Sequence, residues 1–246
     1  MDRVIYTALS GASAAMHRQQ VLSHNLANVN TNGFRAELAT FRAVPLRGEG
    51  ASTRVYSLEA TAGHLDTPGT VSNTGRNLDV AAVGRAYFAI QGLDGTEAYT
   101  RAGSLQVSAQ GLLVGHAGLP MLDDGGAPLN VPENARVSIA SDGTVSAQVG
   151  NQPVQAIGRL KLVTPNDEVR LKRGDDGLFR SADGGPLPQD PAAQLADGML
   201  EGSNVNAIEA MVGMISVARQ YELHMRLLQT TEKSDQAASQ LLSLNG

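Results

Sequence analysis

The chain has 246 residues, a formal net charge of −5, no cysteine and few aromatic side chains. Because its basic residues do not cluster, it lacks the electrostatic footprint of a nucleic-acid-binding protein, and the absence of cysteine excludes disulfides, Fe–S clusters and thiolate chemistry. No apolar run is long enough to span a bilayer.

The first predicted element is a long amphipathic helix near the N-terminus. Steps of three and four residues from Ile5 meet an apolar side chain at nearly every position, with one polar exception at Gln19. No residue between Val4 and Met16 is charged, so we expect this helix to be covered on more than one side. We call the stripe expected to contact other helices the assembly seam; on this helix it comprises Ile5, Leu9, Ala12, Met16, Leu22 and Leu26.

The same region contains a weak cleavage pattern for a signal peptide. Ala12-Ser13-Ala14 has the small residues that such a site needs, but Asp2 offsets the charge of Arg3. Polar residues such as Tyr6 and Thr7 also interrupt the apolar core that a signal peptide requires. We therefore expect an uncleaved N-terminus if the protein leaves the cytoplasm.

The middle of the chain predicts a connector and then a β domain. Residues 35–75 resemble a connector with short strands, since Pro45 and Pro68 disfavour a regular helix. From residue 76 turn signals recur at the spacing of an all-β domain, and Leu93-Asp94-Gly95-Thr96 predicts a hairpin. The predicted divisions are an N-terminal helix with its exit loop (1–34), a connector (35–75), a central β domain (76–197) and a C-terminal helix (198–246).

The last predicted element is a second long helix, which runs almost to Gly246. Its part of the assembly seam comprises Ile208, Met211, Ile215, Ala218, Tyr221, Met225 and Leu228. At about 1.5 Å per residue the two helices are roughly 40 Å and 55 Å long, too long for both to be buried on a small β domain. One alternative is a two-helix hairpin that forms the core of a single chain. We favour assembly with other chains, and we predict an α+β fold whose terminal helices pair in a coiled-coil-like layer around a central all-β domain.

Asparagine, serine and glycine residues mark both helix ends that face the β region. Their side chains suit helix caps and tight turns, because they bond to nearby backbone groups, and Gly33 tolerates positive φ. The residues assigned to capping or turns are Asn25, Asn28, Gly33, Ser203, Asn204 and Asn206.

Catalytic signatures are missing from the sequence. The five histidines have no metal-binding spacing, and neither a P-loop nor a G-x-S-x-G elbow occurs. Acidic pairs such as Asp123-Asp124 and Asp175-Asp176 stand beside glycines, where turn chemistry explains them. We therefore predict no catalytic, cofactor-binding or metal-binding residues.

A periplasmic ligand-binding module is a third functional class, but this sequence lacks the signal sequence and the pocket-forming aromatics of such a module. Proteolysis separates the two classes: a binding module would resist proteolysis from end to end, whereas a filament subunit would have labile termini.

Several motifs resemble those of the axial proteins of the bacterial flagellar rod and hook. The N-terminal motif is Asn25-Leu26-Ala27-Asn28-x-x-Thr31-x-Gly33-Phe34-Arg35, and the C-terminal motif is Leu200-Glu201-x-Ser203-Asn204-Val205-Asn206 with Arg219-x-Tyr221-Glu222. Between them, the segments Asn77-Leu78-Asp79-Val80-Ala81 and Tyr99-Thr100-Arg101-Ala102-Gly103 resemble the middle domain of that family. The resemblance covers nearly the whole chain.

This resemblance implies a structural subunit of the flagellar basal-body rod. Proximal-rod members fit best, distal-rod members are the alternative, and the usually longer hook protein is third. The implied partners are other rod proteins, further copies of the chain and, during secretion, the flagellar export apparatus. The implied location is the periplasmic rod, reached through type III export without a cleaved signal peptide.

Overall fold

The computed structural model describes residues 2–45, 55–166, 170–174 and 176–244. These residues form two long α-helices and sixteen strands, which confirms the predicted α+β class. The chain divides into two compact units. Unit 1 comprises residues 1–27, 37–64 and 205–246, and unit 2 comprises residues 28–36 and 65–204.

The helices and strands follow in chain order, with both helices in unit 1. The helices are α1 (Asp2–Ala27) and α2 (Ala207–Leu244), and a short 3-10 turn covers His116–Gly118. The strands are β1 (Glu37–Pro45), β2 (Val55–His64), β3 (Val71–Asn73), β4 (Val80–Ala82), β5 (Tyr87–Gln91), β6 (Glu97–Thr100), β7 (Gln106–Val107), β8 (Leu113–Val114), β9 (Ala135–Ile139), β10 (Thr144–Val149), β11 (Gln155–Arg159), β12 (Leu162–Val163), β13 (Leu171–Arg173), β14 (Phe179–Ser181), β15 (Leu195–Asp197) and β16 (Met199–Glu201).

In unit 1, α1 and α2 pack against each other in antiparallel orientation. A Cβ atom added at Gly213 would lie 3.2 Å from Leu22, and one added at Gly11 would lie 2.5 Å from the ring of His224. The later residue of α1 thus faces the earlier residue of α2, and the glycines allow the close approach. The buried apolar side chains of the two helices are mostly small; among the described residues they are Ala8, Ala12, Ala15, Val21, Ala210 and Val217.

A long β-hairpin packs on α1, where the sequence predicted a connector with short strands. Strands β1 and β2 have nine and ten residues and pair in antiparallel orientation. The Ser10 hydroxyl bonds to both the N–H and the C=O of Ser57, at 3.1 Å and 3.2 Å. Ser10 of α1 thus anchors this position of β2 on the helix, and the paired strands are longer than the sequence predicted.

Unit 2 is built around a five-stranded sheet in the order β12-β5-β6-β14-β13 and a three-stranded sheet in the order β11-β10-β9. Alternate residues of β5 face two different cores: Phe88 and Ile90 belong to the larger core, and Tyr87 and Ala89 to the smaller one. The predicted hairpin at Leu93-Asp94-Gly95-Thr96 joins β5 to β6.

The segment before α2 differs from the predicted helix at 198–246. Residues Met199–Glu201 form β16, which pairs with β3, and α2 begins only at Ala207. Gly198 has a φ of +64°, and the backbone N–H of Gly202 donates to Thr70 O at 2.8 Å, so an extended pairing replaces the first helical turns. Neither described helix is long and apolar enough to cross a membrane. The sequence-based domain boundaries stay a prediction.

Candidate assembly surface and chain junction

On α1, the predicted seam residues lie in different environments. Ala12 is buried in unit 1, and three larger residues are half-buried, namely Ile5, Leu22 and Leu26. Leu9 and Met16 are more than half exposed. Part of this seam therefore packs within the chain, and part stays available to other chains.

On α2, most predicted seam residues face solvent. Ile208 is 75% exposed and Ile215 is 57% exposed, while Leu228 is half-buried. The other members of the predicted stripe are classed as exposed; they are Met211, Ala218, Tyr221 and Met225.

The face of α2 that contacts α1 was not predicted, and it is displaced by two positions from the predicted stripe. Ala210, Gly213 and Val217 each follow a predicted seam residue by two, which is a rotation of roughly 200° about the helix axis. The first three residues of the α2 stripe, Ile208, Met211 and Ile215, are thus nearly opposite the contact with α1. The small residues themselves were the signal that could have identified the contact face, because close helix packing selects them.

A groove of about 380 Å³ lies between the two helices. It is lined by Ala15, Met16, Gln19, Val217, Ala218, Tyr221 and Glu222. The side-chain oxygen of Gln19 is buried there without a hydrogen-bond partner. Three of its lining residues, Met16, Ala218 and Tyr221, are also exposed on the surface of unit 1.

Two of the predicted capping residues lie at helix ends. The Asn206 side-chain oxygen accepts from the N–H groups of Ile208 and Glu209, at 3.0 Å and 3.3 Å, and so caps α2. Asn25 lies in the last turn of α1, but its amide bonds to the N–H and C=O of Glu37 at 2.8 Å and 2.9 Å, and so anchors the start of β1.

The turn after α1 contains the next two predicted residues. The Asn28 carbonyl and side-chain oxygens both accept from Thr31, at 3.1 Å. Gly33 has a φ of +70°, and a Cβ there would lie 2.3 Å from the carbonyl carbon of Arg101. Both residues thus lie in the turn between α1 and β1, where the positive φ of Gly33 favours a glycine.

Asn204, expected to act as a local cap, instead joins segments that are far apart in the sequence. Its side-chain oxygen accepts from Ala36 N at 2.7 Å, and its amide donates to the carbonyls of Leu65 and Thr67, both at 2.9 Å. The N–H of Leu65 in turn donates to Ala36 O at 2.9 Å. We call this ring of Ala36, Leu65 and Asn204 the junction. Ser203 lies half-buried beside it in the chain.

Beside the junction in the sequence lies a buried ionic cluster, the buried triad of Arg35, Arg101 and Glu201. Each residue is 2% exposed. Arg35 contacts one Glu201 carboxylate oxygen at 2.6 Å, and Arg101 donates its Nε–H to the other at 2.8 Å and also donates through its terminal nitrogen. The backbone N–H of Gly69 donates to the same carboxylate at 3.0 Å.

Backbone carbonyls take further donors of the buried triad, while the Arg35 Nε–H is buried without a hydrogen-bond partner among the described residues. Arg101 donates to the carbonyls of Ala82, Gly84 and Ala86, and Arg35 donates to Thr67 O at 2.9 Å. Burial lowers the pKa of the Arg101 guanidinium, and the Glu201 carboxylate opposes that shift. These partners let two arginines and one carboxylate remain charged in the interior.

All three triad residues lie within the motifs that resemble those of the axial proteins, but their contact with one another was not predicted. Arg35 and Glu201 are separated by most of the chain, and no local pattern connects them with Arg101. Each of the three charged residues stands beside a glycine or an alanine in the sequence. A small neighbour allows another backbone to approach closely, so this position was the available sign that the charge is buried.

Three family profiles match the chain. The profile described as "Flagella basal body rod protein" matches residues 5–35, and "Flagellar hook protein FlgE/F/G D1 domain" matches residues 81–147. The third, "Flagellar basal body rod FlgEFG protein C-terminal", matches residues 196–241. The buried triad contributes one residue to each of these matched regions.

Relatives match over the full chain. The flagellar basal-body rod protein FlgF of Escherichia coli (strain K12) is 43% identical over the whole of both chains, and that of Salmonella typhimurium is 42% identical over the same extent. The flagellar basal-body rod protein FlgG of Buchnera aphidicola is 32% identical, over 96% of this chain and 98% of its own. The chain therefore belongs to the family of flagellar basal-body rod proteins, within its FlgF group.

Proposed function

We propose that this chain is a structural, non-enzymatic subunit of the proximal part of the flagellar basal-body rod. The observation that carries this proposal is the exposed apolar surface of α2. Ile208, Val212, Ile215 and Leu223 are each more than half exposed, although the same helix buries small residues against α1. An apolar surface of this kind is typical of protein–protein contacts, and it fits the partners of a rod subunit.

In the assembled rod, we propose that the terminal helices form an inner tube around the export channel and that unit 2 belongs to the outer layer. The helices of neighbouring subunits would pack in a coiled-coil-like layer through the assembly seam. The antiparallel α1–α2 pair supports this arrangement, because one chain then supplies two helices with apolar residues left on their outer sides. Close packing along the helices gives the stiffness that a torque-bearing shaft needs.

The proposed partners are copies of this chain, other proximal-rod and distal-rod subunits, and the export apparatus during secretion. The proposed location is the periplasmic rod of the basal body, reached by type III export without signal-peptide cleavage. Support comes from the rod-protein names of the full-length relatives and from Ala8, Ala12 and Ala15, which pack inside unit 1 where a signal peptide would be removed. Mass spectrometry of the protein from basal bodies would contradict uncleaved export if the mature chain began at Ala15.

A place in the distal rod is the alternative. The full-length FlgG match supports it, but at lower identity than the two FlgF matches. Complementation separates them: we expect the chain to restore motility to a strain that lacks FlgF and not to one that lacks FlgG. The reverse result would favour the distal rod.

The replacement of Ile215 by Asp tests the structural role in cells. The Asp side chain would place a charge in the apolar surface, where burial without a partner is costly. In a strain whose own copy is deleted, we expect Ile215→Asp to abolish motility and to be absent from purified basal bodies. The control Glu232→Ala changes an exposed residue where the apolar stripe has weakened, and it should assemble normally. Normal assembly of Ile215→Asp would contradict the proposal.

A further inference from the structure

The junction joins three of the four places where the chain passes between the units. The chain crosses at residues 27–28, 36–37, 64–65 and 204–205. Ala36, Leu65 and Asn204 are the unit 2 residues at the last three crossings, and each is hydrogen-bonded to the other two. The chain therefore leaves unit 2 three times from one hydrogen-bonded ring.

The side-chain amide of Asn204 makes two of the three hydrogen bonds in this ring. A carboxamide can both accept from Ala36 N and donate to Leu65 O, because it carries an acceptor oxygen and a donor nitrogen in one short planar group. The backbone N–H of Asn204 also donates to Phe34 O at 3.3 Å. If this amide were removed, the ring would keep one of its three hydrogen bonds, the one from Leu65 N to Ala36 O.

The neighbouring backbones lie very close together at this point. A Cβ atom added at Gly69 would lie 2.1 Å from Gly202 O, and the N–H of Gly33 donates to Glu201 O at 2.8 Å. Glu201 also holds Arg35 and Arg101 in the buried triad. The junction thus lies next in sequence to the buried triad, and the amide of Asn204 bonds to the exits at Ala36 and Leu65.

The links from the junction to the elements of unit 1 are short. Strand β1 starts at Glu37, directly after Ala36, and β2 ends at His64, directly before Leu65. Helix α2 starts at Ala207, and Asn206 caps it. Each of these elements thus begins or ends within a few residues of the junction.

We propose that Asn204 is a positioning residue for rod assembly, which fixes the three exits of the chain from unit 2 through its side-chain amide. This proposal rests on the proposed function, because its test measures assembly of the rod. The role of Asn204 is distinct from the contribution of the buried triad, which stabilises unit 2 itself.

The test compares Asn204→Ala with Asp190→Ala in the full-length chain. Asp190 also joins separate segments of unit 2, since it accepts from Ala192 N at 2.9 Å and from the Thr164 hydroxyl at 2.6 Å. We expect both variants to lower the thermal transition of unit 2 by similar amounts. In Asn204→Ala, hydrogen exchange at the Ala36 amide should accelerate roughly tenfold, as the loss of one hydrogen bond implies.

In a strain without its own copy, we expect Asn204→Ala to abolish rod assembly and Asp190→Ala to remain motile. A second variant, Asn204→Asp, keeps the acceptor for Ala36 but loses the donors to Leu65 and Thr67, and it should fail as Asn204→Ala does. Normal motility of Asn204→Ala would overturn the proposal. Unfolding of unit 2 in Asn204→Ala, or equal failure of Asp190→Ala, would also overturn it, because stability alone would then explain the loss.

The Ile215→Asp variant in the same strain separates this inference from the proposed function. If Ile215→Asp fails while Asn204→Ala assembles, only the role of Asn204 is contradicted. If Ile215→Asp assembles normally, the structural role in the rod is contradicted.

Discussion

At the scale of single residues, the buried triad places two guanidinium groups and one carboxylate in a site that water does not reach. Arginine suits this site because its planar fork bonds to Glu201 and to several carbonyls at once. The attraction to Glu201 offsets the cost of removing these charges from water only while every partner is present. The three residues therefore act as one unit.

We expect Glu201→Gln to destabilise unit 2 strongly. The substitution keeps the size of the side chain but removes the charge that faces Arg35 and Arg101, both of which are buried. The loss of one partner of a buried ion pair costs about 3–5 kcal/mol. Chemical denaturation followed by the circular dichroism of the β unit measures this change.

The triple variant Arg35→Met, Arg101→Met and Glu201→Met is the control for that prediction. It removes all three charges, so we expect it to recover much of the stability that Glu201→Gln loses. A loss below about 1 kcal/mol in Glu201→Gln would show that the triad is not an electrostatic unit.

We also expect unit 2 to lose stability at alkaline pH through Tyr99. Burial raises the pKa of the Tyr99 phenol, whose O–H donates to Glu97 and whose oxygen accepts from Leu187 N at 2.6 Å. A folded-state pKa above the unfolded value gives stability that is complete below about pH 10 and is lost as the pH rises toward the folded value. Denaturation at rising pH should show a smaller alkaline loss for Tyr99→Phe than for the original chain. Equal losses would contradict this.

At the scale of elements, α2 has two faces with different roles. Val217 is 2% exposed and lies on the face that contacts α1, whereas Ile215 is 57% exposed on the opposite side. The alanines and glycines of the inner face allow close packing, whereas the larger aliphatic residues of the outer face are exposed in the part of the chain that the structure describes. An aspartate placed at one position on each face therefore tests the two faces separately.

We expect Val217→Asp to destabilise the helix pair and Ile215→Asp to leave it nearly unchanged in the free chain. An aspartate at position 217 would be buried without a partner, while one at position 215 would stay hydrated. Thermal unfolding followed by helical circular dichroism measures both. If Ile215→Asp unfolded the free chain as Val217→Asp does, the outer face would belong to the core of unit 1, and the proposed seam on α2 would be misplaced.

At the scale of the whole molecule, we expect unit 1 to open before unit 2. The helix pair of unit 1 buries mainly small residues, whereas the cores of unit 2 bury Phe88, Ile90 and Met121 completely. Larger buried apolar area gives greater stability per residue. Hydrogen exchange of the free chain should therefore proceed faster in α2 than in β5. Equal protection of both elements would contradict this order.

The sequence predicted the elements that depend on neighbouring residues. Helical periodicity identified both helices, and the turn at Asp94-Gly95 identified the β5–β6 hairpin. The pairing of β16 with β3, the contacts of Asn204 and the buried triad were not predicted. Each of these joins residues a hundred or more positions apart, and periodicity and turn chemistry carry no information on such contacts. The inner face of α2 was missed because its alanine and glycine residues score poorly beside Ile215 and Met211.

The central claim, that the outer face of α2 is buried between subunits of the rod, can be measured directly because the chain has no cysteine. A single Ile215→Cys variant carries the only thiol, and its alkylation rate can be compared between the free chain and purified basal bodies. A Leu93→Cys variant, at a hairpin tip that is 89% exposed, serves as the control for access of the reagent. We predict that the thiol at position 215 reacts rapidly in the free chain and is protected in the basal body, while the thiol at position 93 reacts in both. Equal reactivity at position 215 in both states would contradict the claim.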